Sequence, residues 1–229
     1  GAQFNGANIT GTQTEHMIDF YIEQKVDGIL FAPVELTHNC FSINKKIIGK
    51  LENRNIPVVL VDADYYEFPK RSVYDLVGID NFKAGYVSAM HFIEQGEKRI
   101  DFLRQSFMAH TVPQRIMGYR QALLNSGITP HKTWVHDIQD FSSKELSDLI
   151  HNGAQNIICA NDNTAMKFIK ALSDTDINIP KDVRISGFDD IEAARYFPIP
   201  LTTIAQPCKK LAEVIIHTML TLIENPYLP

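Results

Sequence analysis

The stretch RISGFDDIEAARYFPIPLTTIAQP, residues 184–207, decides the reading of the whole chain. It opens on a short apolar run that reads as a buried strand and breaks at two adjacent acids, Asp189 and Asp190. A short helix-forming segment follows, IEAARYF, and then a second apolar run, LTTIA, which stops at Gln206-Pro207.

The same style of run recurs along the chain. VDGILFAP (26–33), IPVVLVDAD (56–64), LVGID (76–80), RIDFLR (99–104), WVHDI (134–138) and QNIICAND (155–162) each read as a buried strand, as do VRISGFDD (183–190) and LTTIA (201–205). Amphipathic segments with apolar residues three and four apart lie between them, for example Ile43, Ile47, Ile48 and Leu51, or Ile116, Tyr119, Leu123 and Leu124. Strands alternating with helices predict an α/β fold with parallel sheets covered on both faces. Gly96 and Gly127 fall where a helix ends in the left-handed conformation. The triplet NIP, at 55–57 and again at 178–180, reads as a helix end, a proline block and a strand start.

Composition narrows the function. The 229 residues can bury a sizeable core as one large domain or two lobes, and 45% hydrophobic content is ordinary for a globular protein. With 22 Lys and Arg against 27 Asp and Glu, the net charge of −5 gives no support for this chain itself gripping a phosphate backbone, which takes clustered Lys and Arg. Three widely spaced cysteines, Cys40, Cys159 and Cys208, form no metal-ligand pattern and favour a reducing, cytoplasmic setting. No apolar run reaches the roughly 18 residues of a membrane span, so no membrane partner is expected. Dinucleotide, phosphate-loop and nucleophile-elbow motifs are missing from the sequence, so neither a cofactor nor an enzyme activity is expected. The eight histidines are scattered, and only His110, in a loop just before Arg115, draws notice.

In an open parallel sheet, ligands bind beyond the carboxyl ends of the strands. The polar residues expected there are Asp62 and Asp64 after VVLV, Asp80-Asn81 after VGI, Asn161-Asp162 after IICA, Asp189-Asp190 after ISGF and Gln206 after TTIA. Arg115 sits near the start of the next helix. Asp80-Asn81 and Asp162 are expected to act as helix caps. At 189–190 the second acid, Asp190, can cap the short helix, which leaves Asp189 for a ligand. Carboxylates accept from paired hydroxyls while Arg, Asn and Gln donate to them, a set suited to a polyhydroxylated ligand. Phe141, Phe188 and Trp134 are the aromatics that could cover a sugar face.

VDGILFAP, IPVVLVDAD, VGIDNFKAG, RIDFL, QRIMGYRQALLNSGI, ICANDNTAM and IPKDVRISGFDDIEAARYFPIPLTTIAQP follow one order. That order resembles the effector-binding domain of lactose-repressor-type (LacI/GalR) transcription regulators, a domain also found behind GntR-type headpieces. The resemblance implies two Rossmann-like lobes of the type I periplasmic-binding-protein kind, with residues 1–104 and 208–229 in one lobe and 105–207 in the other. It implies an effector, a mono- or disaccharide or related metabolite, in a cleft lined by Arg115, Asn161, Asp189, Gln206 and Phe141, with Asp62 or Asp64 added from the first lobe. A homodimer that meets operator DNA through a headpiece is implied as well, and the headpiece, the first strand and the last strands of the family are expected to lie outside this sequence. The rival readings are a secreted sugar-binding protein of a transport system and an enzyme acting on a sugar or nucleoside.

Overall fold

The computed structural model describes residues 11–106 and 108–225, so the opening GAQFNGANIT, read as starting in mid-fold, lies outside the described residues. Helix α1 (Gly11–Glu23) leads to β1 (Ile29–Phe31), α2 (Cys40–Glu52), β2 (Val58–Val61) and β3 (Asp75–Val77). Next come α3 (Asn81–Ile93), β4 (Asp101–Gln105), α4 (Val112–Asn125), β5 (Val135–Ile138), α5 (Ser143–His151) and β6 (Asn156–Cys159). The chain continues with α6 (Asp162–Leu172), β7 (Arg184–Asp189), α7 (Glu192–Arg195), β8 (Thr202–Ala205) and α8 (Cys208–Glu224). Each of the eight runs read as strands overlaps one.

Two compact units result, residues 1–78 with 207–229, and residues 79–206. In the first, β1, β2 and β3 form a parallel sheet in that order. Ile47, Ile48 and Leu51 of α2 close one core with Ile29, Phe31, Val58 and Leu60. From the far end of the chain α8 returns to this sheet, burying Ile215 and Met219. Gly28 permits the contact, since a Cβ there would lie 2.3 Å from the Met219 sulfur.

The second unit holds a five-stranded, all-parallel sheet of order β5-β4-β6-β7-β8. Alternation sorts its side chains. Leu103, Ile157 and Cys159 enter a core with Leu146 and Phe168, from α5 and α6. Phe102 and Ile158 enter a second core with Phe92, Ile116, Tyr119 and Leu123, from α3 and α4. The sheet is covered on both faces, as expected.

The division falls at residue 78 and not at residue 104. Residues 79–104 belong with the second unit because β4 hydrogen-bonds between β5 and β6, and because α3 lies against α4 at backbone distance. A Cβ on Gly85 would sit 1.9 Å from the Arg115 carbonyl oxygen, and one on Gly118 would sit 1.8 Å from that of Phe82. Gly96 (φ +90) and Gly127 (φ +72) take the expected left-handed conformation after α3 and α4. The first NIP punctuates α2 and β2 as read, whereas the second lies in the loop between α6 and β7, where no helix ends.

Candidate functional site

In the second unit the chain runs from β4 out to β5, then back across to β6 on the other side. That reversal makes the carboxyl ends of β4 and β6 a topological switch point, where open α/β sheets take ligands. Along this edge, in sheet order, stand Phe141 beyond β5, Gln105 at the end of β4, Asn161 after β6, Asp189 at the end of β7 and Gln206 after β8. Four of the five were expected from sequence, and Gln105 was missed because nothing in RIDFLRQ separates it from any polar strand end.

Arg115 comes to the same edge from α4. Its Nε donates to Asn81 Oδ1 at 2.8 Å, its Nη1 to the Ala160 carbonyl at 2.8 Å, and its guanidinium carbon lies 3.7 Å from the Phe188 ring centre. Buried to 6% exposure, it is locked from three directions and stands pre-organised. Asn81 was read as structural, and holding Arg115 gives that role its content.

Asp189 and Asp190 have positive φ, +112 and +52, conformations that L residues rarely adopt. Backbone of this kind costs of order 1–3 kcal/mol and persists only where neighbours hold it. Gln206 Nε2 donates to Asp189 Oδ1 at 2.7 Å, tying the ends of β7 and β8 together.

Two capping expectations are corrected. Asp190 does not cap α7: its carboxylate takes a hydrogen bond from Arg195 Nη2 at 2.8 Å, and the segment's Ile191 N–H donates instead to Asp162 Oδ2 at 2.9 Å. Asp162 is not the cap of α6 either. Asn161 is, its Oδ1 accepting from the Thr164 N–H and the Thr164 hydroxyl, each at 2.8 Å. Asp162 is fully buried and also accepts from the Thr203 hydroxyl at 2.6 Å, so one carboxylate joins α6, β8 and the entry to α7. Gly187 leaves room for it, since a Cβ there would stand 2.1 Å from Asp162 Oδ1. Asp80 does cap α3, through the Lys83 N–H.

The aromatics divide. Phe188 backs Arg115, Trp134 packs on the core under α4, and Phe141 packs on the core under α5 with Lys167 Nζ 5.9 Å from its ring centre. In the first unit, Asp64 accepts from the Tyr66 N–H and from the Ser72 N–H and hydroxyl, which occupies both of its oxygens with the loop it starts. Asp62 ends β2 in a left-handed turn (φ +69), close under Gly78.

Residues 89–229, more than half of the chain, match the model of the periplasmic binding protein-like domain. By sequence the chain is similar to the HTH-type transcriptional repressor PurR of Aliivibrio salmonicida, 27% identical over 93% of this chain and 62% of that protein. The chain thus spans about three-fifths of the length of the curated relatives it matches. By structure it is similar to the transcription regulator CcpA of Lactococcus lactis, with a TM-score of 0.76 and 24% identity over 96% of this chain and 79% of that one. It is also similar to a LacI family regulator from Enterococcus faecium solved with bound ribose, at a TM-score of 0.73 and 24% identity over 94% of this chain and 78% of that one. The chain belongs to the periplasmic binding protein-like domain family.

Proposed function

We propose that this chain is the effector-binding part of a LacI-type transcription regulator, and that its effector is a small neutral sugar bound at the carboxyl edge of the second unit's sheet. The observation that carries this reading is the locked guanidinium of Arg115 beside a row of polar side chains at successive strand ends. Asp189 offers carboxylate oxygen to sugar hydroxyls, while Arg115 and Asn161 donate.

The first turn of α4 argues for a neutral ligand over a phosphorylated one. Val112 N–H donates to the Ala109 carbonyl, Pro113 has no N–H, and Gln114 and Arg115 N–H donate to the Thr111 carbonyl. A helix start binds phosphate through free N–H groups, and these are spent.

In the whole protein we assign operator binding to a headpiece, acting in the cytoplasm as a homodimer whose DNA affinity the sugar changes. Such a change needs different sugar affinities in two states of the protein.

The test is a thermal-shift screen of neutral sugars, sugar phosphates and purines against this chain and its Asp189→Asn variant. Asn keeps the shape and tolerates positive φ, where Ala would add strain. A ligand at 100 times its Kd adds about 2.7 kcal/mol of stability. We expect a neutral sugar to stabilise the native chain and lose most of that effect in Asp189→Asn. Stabilisation by purines or sugar phosphates alone would refute the sugar assignment, and a sugar effect indifferent to Asp189→Asn would move the site.

A further inference from the structure

The hydrogen bonds behind Asn161 have a direction, set at one end by Lys167 and at the other by the Thr164 N–H. An ammonium has donors and no acceptor. Lys167 Nζ lies 2.9 Å from Gln105 Oε1, so the Gln105 amide is oriented with its oxygen towards the lysine and its nitrogen away. That nitrogen, Nε2, donates to the Thr164 hydroxyl oxygen at 3.1 Å. With that lone pair taken, the Thr164 hydroxyl sends its own proton to Asn161 Oδ1 at 2.8 Å, where the Thr164 N–H also donates. Asn161 Oδ1 therefore carries two donors from its own helix. The face of Asn161 left for a ligand is the Nδ2 amide, which can only donate.

We propose that Gln105 and Lys167 are positioning residues that hold the Asn161 amide rigidly in the polarity its cap of α6 sets, so that this strand end meets a ligand atom that accepts a hydrogen bond and rejects one that must donate. The proposal rests on the reading of Asn161 as a ligand contact. Neither residue needs to touch the ligand. Gln105 ends β4 and Thr164 lies in the first turn of α6, so the relay spans the switch point and couples its two sides. Phe141, under the Lys167 ammonium, holds the far end of the relay.

Gln105→Glu separates a positioning role from a structural one. Glutamate keeps the size of the side chain and strengthens the pairing with Lys167, so a structural role anticipates no loss. A carboxylate cannot donate to Thr164, however, so the hydroxyl turns to the new carboxylate and Asn161 Oδ1 loses a donor. The first readout needs no ligand: the NMR order parameter of the Asn161 side-chain Nδ2 amide group. It is expected to show a rigid amide in the native chain and a more mobile one in Gln105→Glu, at an unchanged melting temperature. An equally rigid amide in both overturns the proposal, whatever the chain binds.

The second readout is calorimetric titration with d-ribose and with the best-binding neutral sugar of the screen. Gln105→Glu should weaken binding about fivefold, the worth of one net hydrogen bond. Lys167→Met, which frees the Gln105 amide to turn over, should weaken it less, and both effects should vanish in an Asn161→Ala background. Additive losses across that cycle overturn the relay. If Asn161→Ala leaves sugar binding intact, the assignment of Asn161 as a contact falls, and the amide order parameter alone decides whether Gln105 steadies its orientation.

Discussion

At the scale of single residues, the second unit separates the carboxylates that hold the edge from the one proposed to use it. Asp162 is the holder: no part of it meets solvent, and it accepts one backbone N–H and one hydroxyl from two other elements. Hydrogen bonds to a charged group are worth about 1.5–3 kcal/mol each, and removing the acceptor leaves the Ile191 and Thr203 donors without their partner. Asp162→Ala should therefore cost about 3 kcal/mol in urea denaturation, and Asp162→Asn less, since one oxygen remains. A cost near zero would show that the β7–β8 edge does not depend on this carboxylate. The sequence put Asn161, Asp189 and Gln206 at strand ends and Arg115 near the start of a helix, where the structure has them, because strand ends can be read from apolar runs. It assigned the cap of α6 to Asp162 where Asn161 makes it, and that of α7 to Asp190 where neither acid of the pair does. Local spacing treats neighbouring acids and amides alike, and only the tertiary fold brings Thr203 and Ile191 to Asp162.

Among the elements, the crossing of α3 and α4 is the one that side chains alone do not explain. Gly85 and Gly118 each face a carbonyl oxygen of the opposite helix, so the two backbones touch with no side chain between them. Glycine inside a helix costs roughly 0.5–1 kcal/mol against alanine, and here the close approach offsets it. Gly49 in α2 supplies the control, since a Cβ there would meet nothing within 4 Å. Gly49→Ala should raise stability by up to about 1 kcal/mol. Gly118→Ala should lower it by about 1–3 kcal/mol or more as the helices are forced apart. If both substitutions moved stability the same way, the packing account of Gly118 would be wrong. Hydrophobic periodicity revealed α3 and α4 as helices but not how closely they cross. A glycine in a helical pattern carries no mark of what lies opposite, which is also why residues 79–104 were placed with the wrong unit.

Over the whole second unit, the two edges of the sheet are built differently. The carboxyl edge carries consecutive positive-φ aspartates and the polar groups proposed to meet the ligand. The amino edge is tied by ion pairs and hydrogen bonds: Glu97 bridges Arg184 and Asn156 at the starts of β7 and β6, and Arg99 and His136 both hold the buried Asp101 at the start of β4. Strain at one end is sustainable because the other end is fixed, and acid should loosen the fixed end first. The Glu97 carboxyl is held below its ordinary value, chiefly by its hydrogen bond from Arg184 and then by that from Asn156. Its folded value is therefore lower than its unfolded value of about 4.3. A group depressed in this way contributes its stability in full above the unfolded value and loses it as pH falls through the folded one. Asp182, lowered by the Asn178 backbone and side chain, adds to the same limb from the loop before β7. Glu97→Gln should therefore lower stability at pH 7, converge with the native chain below about pH 4, and leave a shallower acid limb in urea midpoints taken from pH 6 to pH 3. Parallel acid limbs for the two proteins would show that the Glu97 pairing, although formed, does not couple protonation to the stability of the sheet.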